Sequence, residues 1–131
     1  MSRTRTAAVA AAAVAAAALS LAAFAEVHTV TRVGIVAKPK SYRGDCPTTI
    51  EWIATIHVSR HPARVTYQWE RSDGAHGPRQ EVEIDSAGRG VSDTWELGGP
   101  GMHKVVWERL HVLAPTGITS PEARVKVECR K

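Results

Sequence analysis

Beyond its first 25 residues this sequence has no helical periodicity. It also has no His-x-His pair, the spacing that puts two ligands on one face of a strand. Its two cysteines, Cys46 and Cys129, are too far apart for a zinc pair. No serine or cysteine stands in a recognisable nucleophile setting with a base and an oxyanion hole. These gaps set the expectation of a non-enzymatic chain with no cofactor and no metal. Charge of one sign is lacking as well. The formal net charge is +4, and two of the cations, Arg3 and Arg5, precede an uncharged Ala-rich run. Without them the balance is +2 with the signs interspersed, an ordinary surface with no nucleic-acid footprint.

Long apolar runs are confined to the N-terminus. Arg3 and Arg5 form a positive n-region, residues 7–23 an uncharged run, and Ala23-Phe24-Ala25 a small-residue cleavage site before Glu26. This is the pattern of a secretory signal peptide over residues 1–25. Alanine is too weakly apolar for a stable span, so no membrane span is expected in the mature chain. Removing 25 of the 131 residues leaves 106, the size of one domain over residues 26–131. The expected location is secreted or periplasmic. In an oxidising compartment the natural state of Cys46 and Cys129 is a disulfide, the alternative being two free thiols. A loop of about 84 residues closed in this way would stabilise by roughly 4–5 kcal/mol.

What is present is a period of two. Residues 27–37 are rich in Val, Ile and Thr, with a parity shift that points to a bulge at Gly34. Residues 48–58 alternate most cleanly, with Ile50, Trp52, Ala54, Ile56 and Val58 on one face. In residues 64–71, Val65, Tyr67 and Trp69 point inward, and Ser72-Asp73-Gly74 turns the chain. Short strands follow at 80–85 and 91–97. Asp93 falls in the apolar register of the latter and is expected at a wet strand end. After Gly98-Gly99-Pro100-Gly101 comes a long strand, 103–113, apolar on both parities, and then a last one at 122–129. Residues 42–47 and 114–121 read as connections. Seven strands divided by turn signals predict an all-β antiparallel sandwich.

Tyr67-Gln68-Trp69, Gly44-Asp45-Cys46-Pro47 and Val127-Glu128-Cys129, together with the strand count, resemble small secreted bacterial immunoglobulin-like domains of uncharacterised function. The resemblance spans the mature chain and implies an immunoglobulin-like fold and a compartment, but no activity. Antibody-type domains pair cysteines of the second and sixth strands. Here Cys46 precedes the second strand and Cys129 ends the seventh, so the disulfide is expected to tie one end of the sandwich.

Six histidines, His28, His57, His61, His76, His103 and His111, stand as surface residues in this reading. Ser59 is near His57 and His61 in sequence only. Ser72, Asp73 and His76 imitate a triad on a short loop better explained as a turn. Arg71 is a candidate partner for Asp73. Glu81, Glu83 and Asp85 form an acidic stripe that would face Arg64 or Arg71. Trp52, Trp69 and Trp95 lie in inward registers. Trp107, Arg109 and His111 share the other parity of the long strand. They form the candidate binding strip if that parity faces out, for aromatic and Arg side chains favour interfaces. The function expected is that of a secreted, non-catalytic module binding an extracytoplasmic protein or glycan. Two alternatives stand beside it. One is a small hydrolase with a site assembled from His57, His61, His76 and Asp73. The other is an assembly module pairing through the edge of residues 80–85.

Overall fold

The computed structural model describes residues 29–131; the expected signal peptide and His28 lie outside the described residues. Among the described residues nine strands form two sheets. They are β1 (Val30–Lys38), β2 (Ser41–Gly44), β3 (Thr48–Val58), β4 (Ala63–Arg71), β5 (Gln80–Ile84), β6 (Gly88–Leu97), β7 (His103–Ala114), β8 (Ile118–Thr119) and β9 (Ala123–Cys129). One sheet has the order β1-β3-β6. The other runs β2-β9-β7-β4-β5, with β8 added on β7.

The count corrects the expected seven. Both extra strands arise in segments read as connections, and both are too short to show alternation. β2 pairs in parallel with β9, so the sheet is not wholly antiparallel. β8 pairs with β7 only through Thr119 with His111 and Ile118 with Val112. The bulge in the first strand is also displaced. Register slips between Val30 and Arg32, whereas Gly34 stays paired with Thr55. The slip at Thr31 turns Val30, Val33 and Ala37 all inward and leaves Val36 outside.

Alternation builds the core as expected. Ile50, Trp52, Ala54 and Ile56 from β3 have no exposed surface, and they face Val65 and Trp69 of β4, Leu110 of β7 and Val125 of β9. Trp52 also joins the sheets through a polar contact. Its indole Nε1–H donates to the Ala123 carbonyl of β9 at 2.8 Å. Trp95 tilts against Trp52 with ring centroids 6.0 Å apart. Tyr67 and Trp69 are buried, as their register predicts.

The disulfide Cys46–Cys129 is formed, with the Cα atoms 5.6 Å apart. It ties the start of β3 to the end of β9, at one end of the sandwich. Gly98 fits beneath it. A Cβ on Gly98 would lie 2.9 Å from both sulfurs, and its φ of +102° is one that L side chains rarely adopt. A glycine at position 98 is therefore required by the disulfide as well as by the turn.

β5 is an edge strand of the larger sheet, paired only with β4. Glu81 and Glu83 are exposed on it, with Arg64 3.8 Å from Glu81. Such charges oppose edge-to-edge pairing.

Candidate functional site

The long strand β7 has one buried parity and one outward parity. Val106, Glu108, Leu110 and Val112 are buried. Trp107, Arg109 and His111 therefore face away from the core, along the outer surface of the larger sheet. All three are half-buried there by side chains from neighbouring strands.

Pairing with β4 places Glu70 directly opposite Arg109. Arg109 Nε donates to Glu70 Oε1 at 2.8 Å, and Nη2 donates to Oε2 at 3.0 Å. His111 Nε2 lies 2.9 Å from the same Oε1, while its Nδ1 is 3.0 Å from the Thr119 hydroxyl of β8. The hydrogen bond from Arg109, followed by that from His111, holds the Glu70 carboxyl below the usual carboxylate range. The Arg109 guanidinium lies over the Trp107 ring, 5.2 Å from its centroid. On the β9 side, Trp107 pairs with Arg124, and Arg124 contacts Glu122 at 2.9 Å. The result is a flat, pre-ordered strip of indole, guanidinium and imidazole. It offers stacking and hydrogen-bonding groups, with no nucleophile held against a base.

The other sequence-level candidates are dispersed. His57 lies on the outer face of the three-stranded sheet, 3.1 Å from an Arg32 nitrogen. His61 is in the exposed turn before β4. The Ser59 hydroxyl donates to the Thr29 carbonyl, not to a histidine. Ser72 Oγ accepts from the Trp107 backbone N–H at 3.2 Å, and Asp73 Oδ1 accepts from the Ala75 N–H at 2.9 Å in an Asx turn. His76 packs against His111, with ring centroids 6.4 Å apart. The paper triad is thus three residues with three separate structural partners.

Arg71 does not pair with Asp73 as expected. It turns inward, 3.1 Å from Asp93 of β6 and 3.8 Å from Glu108 of β7. Its guanidinium also stacks on Trp95 at 5.1 Å. Asp93 is not at a wet strand end; it sits mid-strand, paired with Trp52. Glu108 has no exposed side-chain surface, and neither of its oxygens finds a hydrogen-bond donor among the described residues. Burial, and then the nearby Asp93 carboxyl, push its pKa up to about 9 against the opposing pull of Arg71. Glu108 is neutral at neutral pH. The sequence carried a signal for this cluster: a charged residue stands at an inward position in each of β4, β6 and β7.

No protein-family model matches the chain, and no curated protein matches it. Among solved structures it is similar to the CARDB domain of a Pyrococcus furiosus protein, determined in complex with di-metal ions. That likeness has a TM-score of 0.53 at 11% identity and covers 77% of this chain and 96% of the other. At such identity it supports the immunoglobulin-like sandwich fold alone. Among the described residues, no group of three or more His, Cys, Asp or Glu side chains is placed to hold a metal ion. No helix among them is long and apolar enough to cross a membrane.

Proposed function

We propose that the chain is a secreted, non-catalytic immunoglobulin-like module, folded over residues 26–131. Its Trp107–Arg109–His111 strip binds an extracytoplasmic protein or glycan. The observation that carries this reading is the bidentate Glu70–Arg109 contact, which holds a guanidinium over an outward-facing indole in the middle of a sheet. Such pre-ordering lowers the entropy lost when a partner docks. The N-terminal signal pattern and the Cys46–Cys129 disulfide support an oxidising compartment. The metal ions of the Pyrococcus furiosus neighbour are not carried over to this chain.

The test is a comparison of wild type, Trp107→Ala and Arg109→Ala on a glycan panel and on cell-envelope extracts. Melting curves verify that each variant is folded. The expected result is a loss of binding of at least about tenfold in both variants. Unchanged binding by folded Trp107→Ala protein would remove the strip as the binding surface.

A further inference from the structure

A second feature opens in the mouth between the two sheets, and it meets the strip where His76 packs against His111. The loop from β4 to β5 folds back through hydrogen bonds from Gly77 N–H to the Trp69 carbonyl and from Gln68 Nε2 to the Gly77 carbonyl. Between this loop and β6 is a pocket of about 210 Å³. Trp69, Arg71, His76, Pro78, Gln80 and Asp93 contribute to its walls. We propose that this pocket is a binding site for a single neutral sugar ring or comparable small polyol.

Four observations select that chemistry. The first is size: the volume lies below the 300–1,000 Å³ typical of sites for drug-sized ligands, so it suits one ring. The second is charge. Arg71 and Asp93 are already paired at 3.1 Å, so an anion or a zwitterion would have to break that pair to bind. A hydroxyl group both donates and accepts, and can bridge the pair without breaking it. Glu108 behind Arg71 holds its proton, so the cluster adds no net charge. The third is the amide of Gln80. Its oxygen accepts from the Tyr67 hydroxyl at 3.1 Å, which leaves the NH₂ end to donate. The fourth is the mixed character of the walls. Ala75 and Pro78 supply apolar surface beside these polar groups, matching the amphipathic faces of a pyranose. The Trp69 indole N–H, buried behind the wall, has no acceptor among the described residues.

This inference goes beyond the strip, and the two can fail separately. The experiment is a titration of ¹⁵N-labelled protein with methyl glucoside, methyl galactoside and N-acetylglucosamine, with inorganic phosphate and glycine as charged comparators. At least one neutral sugar is expected to produce saturable shifts of the Trp69 indole and Gln80 side-chain signals. The dissociation constant should be on the order of 1 mM, and the Trp107 indole signal should stay still. Asp93→Asn and Gln80→Ala, each with a dispersed spectrum, should weaken binding at least about tenfold. The proposal is overturned if no neutral sugar gives a saturable shift, or if phosphate or glycine binds as well. It is also overturned if both folded variants bind as wild type does. Shifts confined to Trp107 would support the strip and end the pocket.

Discussion

The carboxyl of Glu108 lies 3.8 Å from the guanidinium of Arg71, its cross-strand neighbour, in a site where Glu108 has no exposed surface. Attraction at that distance does not offset desolvation. Burial dominates, and Asp93 from the opposite sheet adds to it.

Stability should therefore fall with alkalinity. Unfolded, Glu108 ionises above about 4.5; folded, it keeps its proton up to about 9. Its stabilising contribution is full below 4.5, declines as pH rises toward 9, and levels off above. The folded state binds the extra proton throughout that window, so the slope is negative, at most about 1.4 kcal/mol per pH unit. Glu108→Gln, neutral at every pH, should flatten this decline and be more stable than wild type at pH 8. Denaturant unfolding across the window is the measurement, and parallel pH profiles for the two proteins would refute the assignment.

Glu70 should contribute with the opposite slope. Its pKa is lowered by Arg109 first and His111 second. Its contribution is present above about 4.5 and is lost as pH falls through the depressed folded value. Glu70→Gln should weaken the dependence on the acid side of 4.5 and leave the alkaline limb intact. The same unfolding series reads both.

Two tryptophans of similar burial should respond differently to Phe. Trp52 donates across the sandwich to Ala123, so Trp52→Phe loses that bond, costing about 0.5–1.5 kcal/mol beyond the volume change. The Trp69 indole N–H has no partner among the described residues, so Trp69→Phe should lose volume alone. Trp69→Ala should cost on the order of 3–5 kcal/mol. Equal losses for the two Phe variants in chemical denaturation would contradict the hydrogen-bond assignment.

Reduction of Cys46–Cys129 should lower the melting temperature, since the bond is expected to supply roughly 4–5 kcal/mol. Gly98→Ala should destabilise the oxidised protein through both its φ and the contact of its new Cβ with the two sulfurs. In a Cys46→Ala/Cys129→Ala background only the backbone part remains, so the same change should cost less. A double-mutant cycle measures the difference, and strict additivity would show that the sulfurs do not restrict residue 98.

The elements legible in the sequence were those long enough to repeat. Ile50, Trp52, Ala54 and Ile56 announce β3, and Val65, Tyr67 and Trp69 announce β4, because a period of two sorts a half-buried strand. β2 and β8 gave no such signal. Each is held by the strand it joins, β2 by β9 and β8 by β7, and its own sequence does not specify it. The facing of Trp107 was undecided for a similar reason. Both parities of β7 are largely apolar, and the deciding residue, Glu108, is a charged side chain on the buried side. Inward charge at Arg71, Asp93 and Glu108 reads as an error in any one strand. It makes sense only when sheet pairing brings the three together, and that pairing is non-local.

The disulfide also has a mechanical consequence. It makes residues 46–129 a covalent ring that contains every strand from β3 to β9. A pull applied along the chain would cross from Cys46 to Cys129 through the bridge and bypass that ring. Of the described strands, only β1 and β2 lie in the path of the load. Tension could peel those two away while the rest of the sandwich stayed shut, so the module would extend a short way and then hold.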